Sequence, residues 1–279
     1  MSPDGAFGAR LHPDSGPARH RGVLGRLASV PRPVARIVLL TAFAAGLYVV
    51  LSNIRYHWDW GVVWAYREIY LYGLLTTMAV SAGAMVLGLV LGVSAGLASV
   101  SRGAWLPELA ALYVGAFRGT PLLVQVLIFY FCVGVVVRLD SPYVIGAVTL
   151  AFFSGAYISE MVRAGIESVD PGQWEAAAGT GLTHAQTLRH VILPQALRRM
   201  VPPVTGQFVS LIKDSSLLSI IAVRELTKAA EVVNAATYRT FETYLPLAAL
   251  YLLLTWPLSR LTRRLERGIH PHMADGRRR

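Results

Sequence analysis

Long intervals without a charged residue constrain this chain more than any other feature of its sequence. Five of them are near or above the ~20 residues that a helix needs to cross the hydrocarbon core, or close enough to span with snorkelling ends. They are residues 37–54, 69–101, 119–137, 141–159 and 243–259. A sixth apolar interval, 200–223, is interrupted by Lys213 and Asp214. The sequence therefore predicts an all-α fold, a polytopic membrane bundle of about six transmembrane helices.

The distribution of basic residues gives this bundle an orientation. The chain is 54% hydrophobic and only 15% charged, which is too apolar for a soluble domain of this size. If the N-terminus is cytoplasmic, the inner segments 1–36, 99–121, 163–200 and 259–279 contain 19 lysines and arginines, whereas the outer segments contain 6. Because cytoplasmic segments carry the excess of basic residues, both termini are predicted to be cytoplasmic. The net charge of +10 then reflects topology and contact with anionic lipid, and it is weak evidence for nucleic-acid binding.

Two tails and one extra helix are predicted outside the central bundle. Residues 1–33 are rich in Pro, Gly and Arg and lack apolar periodicity, so we expect a disordered basic cytoplasmic tail. Residues 34–54 follow as an additional N-terminal transmembrane helix. We interpret it as a retained signal anchor, because the tail before it is too long for the n-region of a cleaved signal peptide. Residues 268–279 are predicted to form a second basic cytoplasmic tail.

The polar interval after the fourth apolar region has the local signals of a helical hairpin. Asp170-Pro171 supplies an N-cap and a first-turn proline for one helix, which Gly179 and Gly181 end. Thr183 and Gln186 then form a capping-box start for a second helix. These signals predict two short cytoplasmic helices that meet at a glycine turn, and Leu193-Pro194 is predicted to break the second helix and direct the chain back to the membrane. The alternative is an ordinary loop with helical propensity.

Small residues recur at every fourth position of the second apolar interval, which places them on one face of a helix. They are Ala84, Gly88, Gly92 and Gly96. Such a stripe lets a neighbouring backbone approach closely, and close packing drives helix association in a bilayer. We therefore predict a helix-packing face, with a specific dimer interface as the less favoured alternative.

Polar residues at membrane depth are the candidates for a translocation pathway, because each costs about 2.5 to 3.5 kcal/mol at a helix centre. Glu160 and Arg163 lie one turn apart and can form an ion pair that anchors the helix end, with a gate contact as the alternative. Lys213 and Asp214 are neighbours and cannot share a helix face, so at least one must face a cavity or a partner. Either a pathway role or structural pairing fits this pair. Gln207, two turns before Asp214, is a weaker pathway candidate.

The hairpin motif and three flanking motifs resemble a known family, the integral membrane permease subunits of bacterial ABC importers, and within it the polar amino acid class. The importer signature is matched by Glu175-Ala176-Ala177, by Gly181 and by Leu193-Pro194, with Val191 in place of the usual isoleucine. The amino acid class is suggested by residues 117–125, where Thr120 is predicted to cap a helix that has Pro121 in its first turn, and by residues 160–166 and 213–217. Together these motifs cover roughly residues 69–267, the expected permease domain.

The resemblance implies a type I importer transmembrane fold in the bacterial inner membrane. It also implies that the hairpin, residues 170–199, is a coupling element that docks on a separate ABC ATPase subunit dimer. The residues that it assigns to coupling are Glu175, Ala176, Ala177, Gly181, Val191, Leu193 and Pro194. The other implied partners are a second permease, either another copy or a homologue, and an extracytoplasmic substrate-binding protein. A polar amino acid is the implied cargo.

The chain itself is predicted to be neither an enzyme nor a cofactor-binding protein. A phosphate-binding loop needs Gly followed by Lys, whereas the two lysines here follow Ile212 and Thr227, so ATP and Mg²⁺ are expected on the partner ATPase. A single cysteine and the lack of histidine ligand spacing predict no metal site. Two alternatives remain open: the same fold carrying a compatible solute or opine, and an ATP-independent secondary transporter or channel.

Overall fold

A computed structural model describes residues 31–53 and 56–269 of the chain. Residues 1–30 and 270–279, on which most of the two predicted tails falls, lie outside the described residues. The chain forms two compact units that divide after His57. The first unit contributes one described helix, α1 (Arg32–Asn53), whose apolar stretch from Pro33 to Val49 is shorter than the main spans of the second unit. Helix α1 therefore begins inside the segment that was predicted to be a tail.

The second unit, as described from Trp58 to Ile269, is helical. Its helices are α2 (Gly61–Ala65), α3 (Arg67–Ser99), α4 (Trp105–Arg118), α5 (Leu122–Ile128), α6 (Gly134–Val137), α7 (Pro142–Glu167), α8 (Pro171–Gly179), α9 (His184–Thr187), α10 (Leu193–Asp214), α11 (Leu226–Thr237) and α12 (Thr240–Ile269). A π-helical turn joins α5 to α6 and another joins α9 to α10, and a 3₁₀ segment, Ser215–Ile221, extends α10.

Three of these helices, α3, α7 and α12, are long and apolar enough to cross a membrane singly. Two further spans are possible from bent pairs, because α4 meets α5–α6 at 103° and the segment from α9 to Ile221 meets α11 at 48°. The sequence predicts residues 99–121 only as a cytoplasmic segment, and this prediction omits helix α4. Arg102 precedes the helix and Arg118 ends it, so the interval is not free of charge, although the residues between the two arginines are mostly apolar.

The small-residue stripe of α3 packs against α7, which confirms the predicted packing face. Gly88, Gly92 and Gly96 are buried and approach Ser154, Ile158 and Val162 in order. A Cβ atom on Gly92 would lie 2.6 Å from the Cβ of Ile158, closer than packed carbons can approach. The same order of contacts shows that α3 and α7 run parallel, so the end of α3 at Ser99 lies on the hairpin side of the bundle.

One hydrophobic core extends from the α3–α7 interface into the polar interval. Leu150 and Ile158 on α7 are fully buried, and so is Ile192 at the end of the hairpin. Val169, just before the hairpin, and Ala196, in its second arm, belong to the same cluster. The hairpin is therefore continuous with the core of the bundle.

A second, smaller core lies at the opposite end of α3, where the sequence predicts a short helix between Arg224 and Glu242. Helix α11 occupies this segment and buries Leu226, Ala230 and Val233 against Tyr70. The side chain of Glu225 caps α11 by accepting hydrogen bonds from the Thr227 and Lys228 amides, at 2.8 and 2.7 Å. This segment is therefore a packed element of the fold and not only a surface helix.

Candidate functional site

The two short helices of the hairpin begin and end as the sequence predicts. The Asp170 carboxylate accepts the amide of Gly172 at 2.7 Å and caps α8. Gly181 has a φ of 82°, a left-handed conformation that suits glycine and turns the chain. At the start of α9, the amide of Thr183 donates to the Gln186 side chain at 2.9 Å, and the Gln186 amide donates back to the Thr183 hydroxyl at 3.4 Å. The predicted capping box is confirmed.

The inner side of the hairpin is held by packing and hydrogen bonds. The rings of Trp174 and His184 stack with centroids 5.1 Å apart, which joins α8 to α9. The Gln195 side chain donates to that of Gln173 at 3.2 Å across the hairpin. At its base, the Arg199 guanidinium donates to the carbonyl and hydroxyl oxygens of Ser168. These contacts fix the two arms relative to each other.

The outer side of α8 is open. Glu175, Ala176 and Gly179 are exposed, whereas Ala177 faces inward and is 6% exposed. Glu175 forms no hydrogen bond or ion pair with another residue of the described chain. A Cβ atom on Gly179 would meet nothing within 4 Å. The Glu175 carboxylate is therefore surrounded by small exposed residues, and another protein can approach this surface closely.

The seven predicted coupling residues do not share one surface. Glu175, Ala176, Gly181 and Pro194 are exposed, but Ala177, Val191 and Leu193 lie wholly or partly inside. Val191 and Leu193 pack against the main hydrophobic core. The motif therefore combines a presented face with the residues that attach this face to the bundle.

The prediction that Leu193-Pro194 breaks the second helix is wrong. The chain stays helical from His184, widens to a π-helical turn over Leu188–Ile192, and continues as α10 with Pro194 in its first turn. The π-helical turn directly precedes the proline, and in it the Leu193 amide donates to the Leu188 carbonyl five residues back, so the chain passes Pro194, which has no amide, without leaving the helical conformation. The hairpin thus passes directly into a membrane helix, without a loop between them.

The predicted Glu160–Arg163 pair forms and is part of a larger chain of charges. Arg163 donates through Nε to Glu160 Oε1 at 3.1 Å and through Nη1 to Glu167 at 2.8 Å. Arg118, at the end of α4, lies 2.9 Å from Glu160 and over the ring of Tyr157. No local pattern indicates the contact between Arg118 and Glu160, because 42 positions separate the two residues and their approach depends on how α4 crosses α7.

The break between α4 and α5 is closed by Gln125, a residue that sequence reasoning noted only as part of a motif. Its side chain is 5% exposed, and its amide nitrogen donates to the Phe117 carbonyl at 2.7 Å and to the Thr120 hydroxyl at 2.8 Å. Thr120 does not cap α5, contrary to the prediction, and its hydroxyl instead donates to the Ala116 carbonyl at 2.9 Å. Gln125 therefore satisfies the carbonyl groups of Phe117 and Thr120 at the bend, where the helical hydrogen bonds are interrupted.

The remaining pathway candidates lie on α10, apart from the ion-pair chain. Lys213 and Asp214 stand at the junction of α10 with the 3₁₀ segment, where Lys213 is exposed and Asp214 is half-buried. No ion pair joins these two among the described residues. Gln207 is buried on the face that Asp214 also occupies, seven positions on. Lys213 thus points away from the interior of this chain.

The fold and this site define a class: a helical membrane protein whose spans continue into a rigid polar hairpin with one open face. The chain belongs to the family described as "Binding-protein-dependent transport system inner membrane component", whose model matches residues 88–271. The resemblance proposed from the motifs is thereby confirmed.

Individual relatives agree with this assignment. The glutamine transport system permease protein GlnP of Escherichia coli (strain K12) is 38% identical over 212 residues, which cover 75% of this chain and 96% of GlnP. The probable glutamine ABC transporter permease protein GlnM of Bacillus subtilis (strain 168) is 38% identical over 193 residues, 69% of this chain and 89% of the relative.

Solved structures agree with the predicted importer fold. The crystal structure of an amino acid ABC transporter with histidines matches with a TM-score of 0.71 and 35% identity, over 76% of this chain and 99% of that one. The inward-facing MetNI methionine ABC transporter matches with a TM-score of 0.64 at 21% identity, over 73% of this chain and 97% of that one. The second match supports the fold alone.

Proposed function

We propose that this chain is the permease subunit of an ATP-driven importer for a polar amino acid, glutamine being the first candidate. The named cargo of the GlnP and GlnM relatives supports this choice. The observation that carries the proposal is the hairpin: it presents Glu175, Ala176 and Gly179 outward while its inner side lies in the same core as α3 and α7. This is the arrangement that an element needs in order to receive force from a partner and pass it to membrane helices.

ATP hydrolysis belongs to a partner in this proposal. A pair of ABC ATPase subunits binds ATP and Mg²⁺, closes, and moves the two hairpins of a permease pair. The hairpin lies in the cytoplasm, as the excess of basic residues in 163–200 and in the N-terminal segment supports. A substrate-binding protein delivers the amino acid to the opposite side of the membrane. The chain thus contributes the pathway and the coupling contact, and no catalysis.

The coupling residues have two roles in this mechanism. Glu175 and Ala176 contact the ATPase, because a small exposed side chain permits close approach and a carboxylate offers charge to a basic partner. Val191 and Leu193 transmit the movement, since they pack the π-helical turn and the start of α10 against the core, and Ala177 is buried on the inner side of α8. Packed cores shift as units and do not deform smoothly, so a push on the hairpin reaches α7 and α10.

The candidate pathway residues also have two roles in this proposal, one group lining the pathway and the other holding helices together. Lys213 is exposed on one chain and lines the space between two permease subunits in this proposal, with Asp214 and Gln207 on the neighbouring face. Glu160 and Arg163 fix the cytoplasmic end of α7 to α4 through Arg118, as the ion-pair distances support.

Charge reversal at Glu175 tests the docking surface. The permease is co-reconstituted with its ATPase and binding protein, and ATP hydrolysis stimulated by the loaded binding protein is measured. Glu175→Lys is expected to abolish the stimulation or the association, because a like charge replaces the complementary one at the contact. Arg102→Glu is the control for a charge reversal outside the hairpin, since Arg102 is exposed and lies at the same end of the bundle. Normal stimulation with Glu175→Lys contradicts the assignment of the hairpin.

Uptake into the same proteoliposomes tests the class and the cargo. Glutamine uptake should require ATP inside the vesicle and the binding protein outside. Uptake driven by an ion gradient without the ATPase identifies a secondary transporter instead. If ATP-dependent uptake is observed for a compatible solute or opine but not for glutamine, the importer assignment is confirmed and the proposed cargo is wrong.

A further inference from the structure

An apolar groove with a volume of about 570 Å³ lies between α3 and the first half of α10. Its walls include Leu89, Val93, Leu97, Leu193, Leu197 and Val204. Several of these side chains are open to the outside, among them Val93 at 41% and Leu197 at 59% exposure. An apolar surface of this kind needs a cover, which in a membrane protein is either lipid or another subunit.

The groove has the length and direction of a lipid acyl chain. Leu89, Val93 and Leu97 recur every four residues on one face of α3 and span about 12 Å along its axis. One leaflet of the hydrocarbon core is about 15 Å thick, half of the ~30 Å of the whole core. Because α3 ends on the hairpin side, the groove runs from the middle of the membrane towards the hairpin. It therefore follows the path of a chain in the leaflet next to the hairpin.

A single cation closes the groove at its hairpin end. Arg189, on the π-helical turn, is the one charged residue that lines it. Arg189 is exposed and forms no hydrogen bond or ion pair with any other part of the described chain. Apolar walls below an unpaired guanidinium match an amphiphile with an acyl chain and an anionic head, since phosphate and guanidinium pair in a bidentate geometry.

We propose that this groove is a binding site for an anionic phospholipid of the cytoplasmic leaflet, with one acyl chain along α3 and α10 and the phosphate at Arg189. The choice of leaflet rests on the cytoplasmic hairpin of the proposed function. That leaflet carries the anionic lipids that basic pockets between membrane helices recognise. Lipid then contacts Leu193 and Pro194, two residues of the coupling motif, where the hairpin enters the membrane.

Native mass spectrometry of the permease–ATPase complex tests the site. The complex is titrated with phosphatidylglycerol and with phosphatidylcholine of identical acyl chains. Wild-type protein is expected to retain phosphatidylglycerol preferentially. Arg189→Gln should weaken its retention about fivefold, the effect of one cation near an anionic headgroup. Arg102→Gln is the matched control, because Arg102 is exposed at the same end of the bundle and lies outside the groove. Equal retention of the two lipids, or equal effects of the two arginine variants, overturns the proposal.

A second pair of variants tests the acyl-chain half of the site. Leu197→Trp fills the groove from an exposed position and should remove retained lipid of either headgroup, whereas Leu112→Trp, at a position 71% exposed on α4, should not. Retention unchanged by Leu197→Trp contradicts the site. Leu197→Cys, introduced together with Cys132→Ser, asks whether protein covers the groove: a disulfide between two copies would show a subunit interface and overturn the lipid assignment.

These outcomes are separable from those of the coupling mechanism. Lipid retention is read without substrate or ATP, and Glu175→Lys should leave it unchanged because Glu175 does not line the groove. Loss of preference for phosphatidylglycerol with normal coupling refutes only the lipid site. Normal coupling by Glu175→Lys with lipid retained refutes only the docking role of the hairpin.

Discussion

Truncation of Ile192 to alanine should detach the coupling hairpin from the bundle without changing the face that it presents. Ile192 ends the π-helical turn and is fully buried in the main core, together with Val169 and Ala196. Glu175 and Ala176 lie on the opposite, exposed side. The substitution therefore separates transmission of movement from docking, two functions that the proposed mechanism assigns to different surfaces of one element.

The size of the effect follows from burial. Removing a fully buried isoleucine side chain down to alanine costs about 2 to 5 kcal/mol, and the cost is largest where the cavity does not collapse. If this loss falls on the local opening of the hairpin, the population with a detached hairpin increases by a factor between about 30 and several thousand, because 1.4 kcal/mol is a factor of ten in an equilibrium constant. Ile192→Val should cost only about 0.5 to 1.5 kcal/mol and give a proportionate rise.

Hydrogen exchange and coupled transport together provide the assay. Amides of α8 and α9 should exchange faster in Ile192→Ala, while amides of α3 and α7 keep their protection. The variant should still bind the ATPase, but its substrate-stimulated hydrolysis should fall. Leu112→Ala is the control for truncation of an aliphatic side chain, because Leu112 is 71% exposed and lies outside both the hairpin and the groove. Unchanged exchange in α8 and α9 would refute the conclusion that the core holds the hairpin, and unchanged coupling despite faster exchange would refute its role in transmission.

Three further substitutions test other parts of the molecule. Gly92→Leu should prevent packing of α3 against α7 or lower the thermal unfolding temperature of the protein in detergent, because a Cβ atom at Gly92 already lies 2.6 Å from Ile158. Gly83→Leu is the control and should have neither effect, because a Cβ atom at Gly83 meets nothing within 4 Å. Glu160→Gln should change stability by less than about 1 kcal/mol, since its ion pairs are partly exposed; a large loss of uptake at normal unfolding temperature would then indicate a gate. Lys213→Ala should reduce uptake more than complex formation, measured by transport and co-purification, and loss of membrane insertion would instead support a structural role.

The elements that the sequence predicted well are those set by local chemistry. Both hairpin caps depend on residues two or three positions apart, and the φ of Gly181 depends on its lack of a side chain, so each could be read without a partner element. The stripe on α3 was equally readable, because a four-residue period places small residues on one face wherever the helix packs.

The predictions that were wrong are those in which a local rule applied to one residue was overridden by the packing of the surrounding helices. Pro194 predicts a helix break by residue type, yet the chain widens to a π-helical turn directly before it and stays helical from His184 into α10. Thr120 before Pro121 predicts a helix cap, yet at the bend before α5 its hydroxyl donates to the Ala116 carbonyl, and the Gln125 side chain donates to the Phe117 carbonyl. Neither outcome follows from residue type alone.

The sequence by itself determined the membrane bundle and the family, because these depend on apolar length and motif spacing along one chain, and its charge count predicts an orientation. Only the tertiary structure decided which side chains share a surface. Arg118 reaches Glu160 through the crossing of α4 and α7, and Arg189 tops an apolar groove through the packing of α10 beside α3. Contacts between residues distant in sequence arise from the packing of whole helices. A local sequence pattern does not show which faces of two helices contact each other.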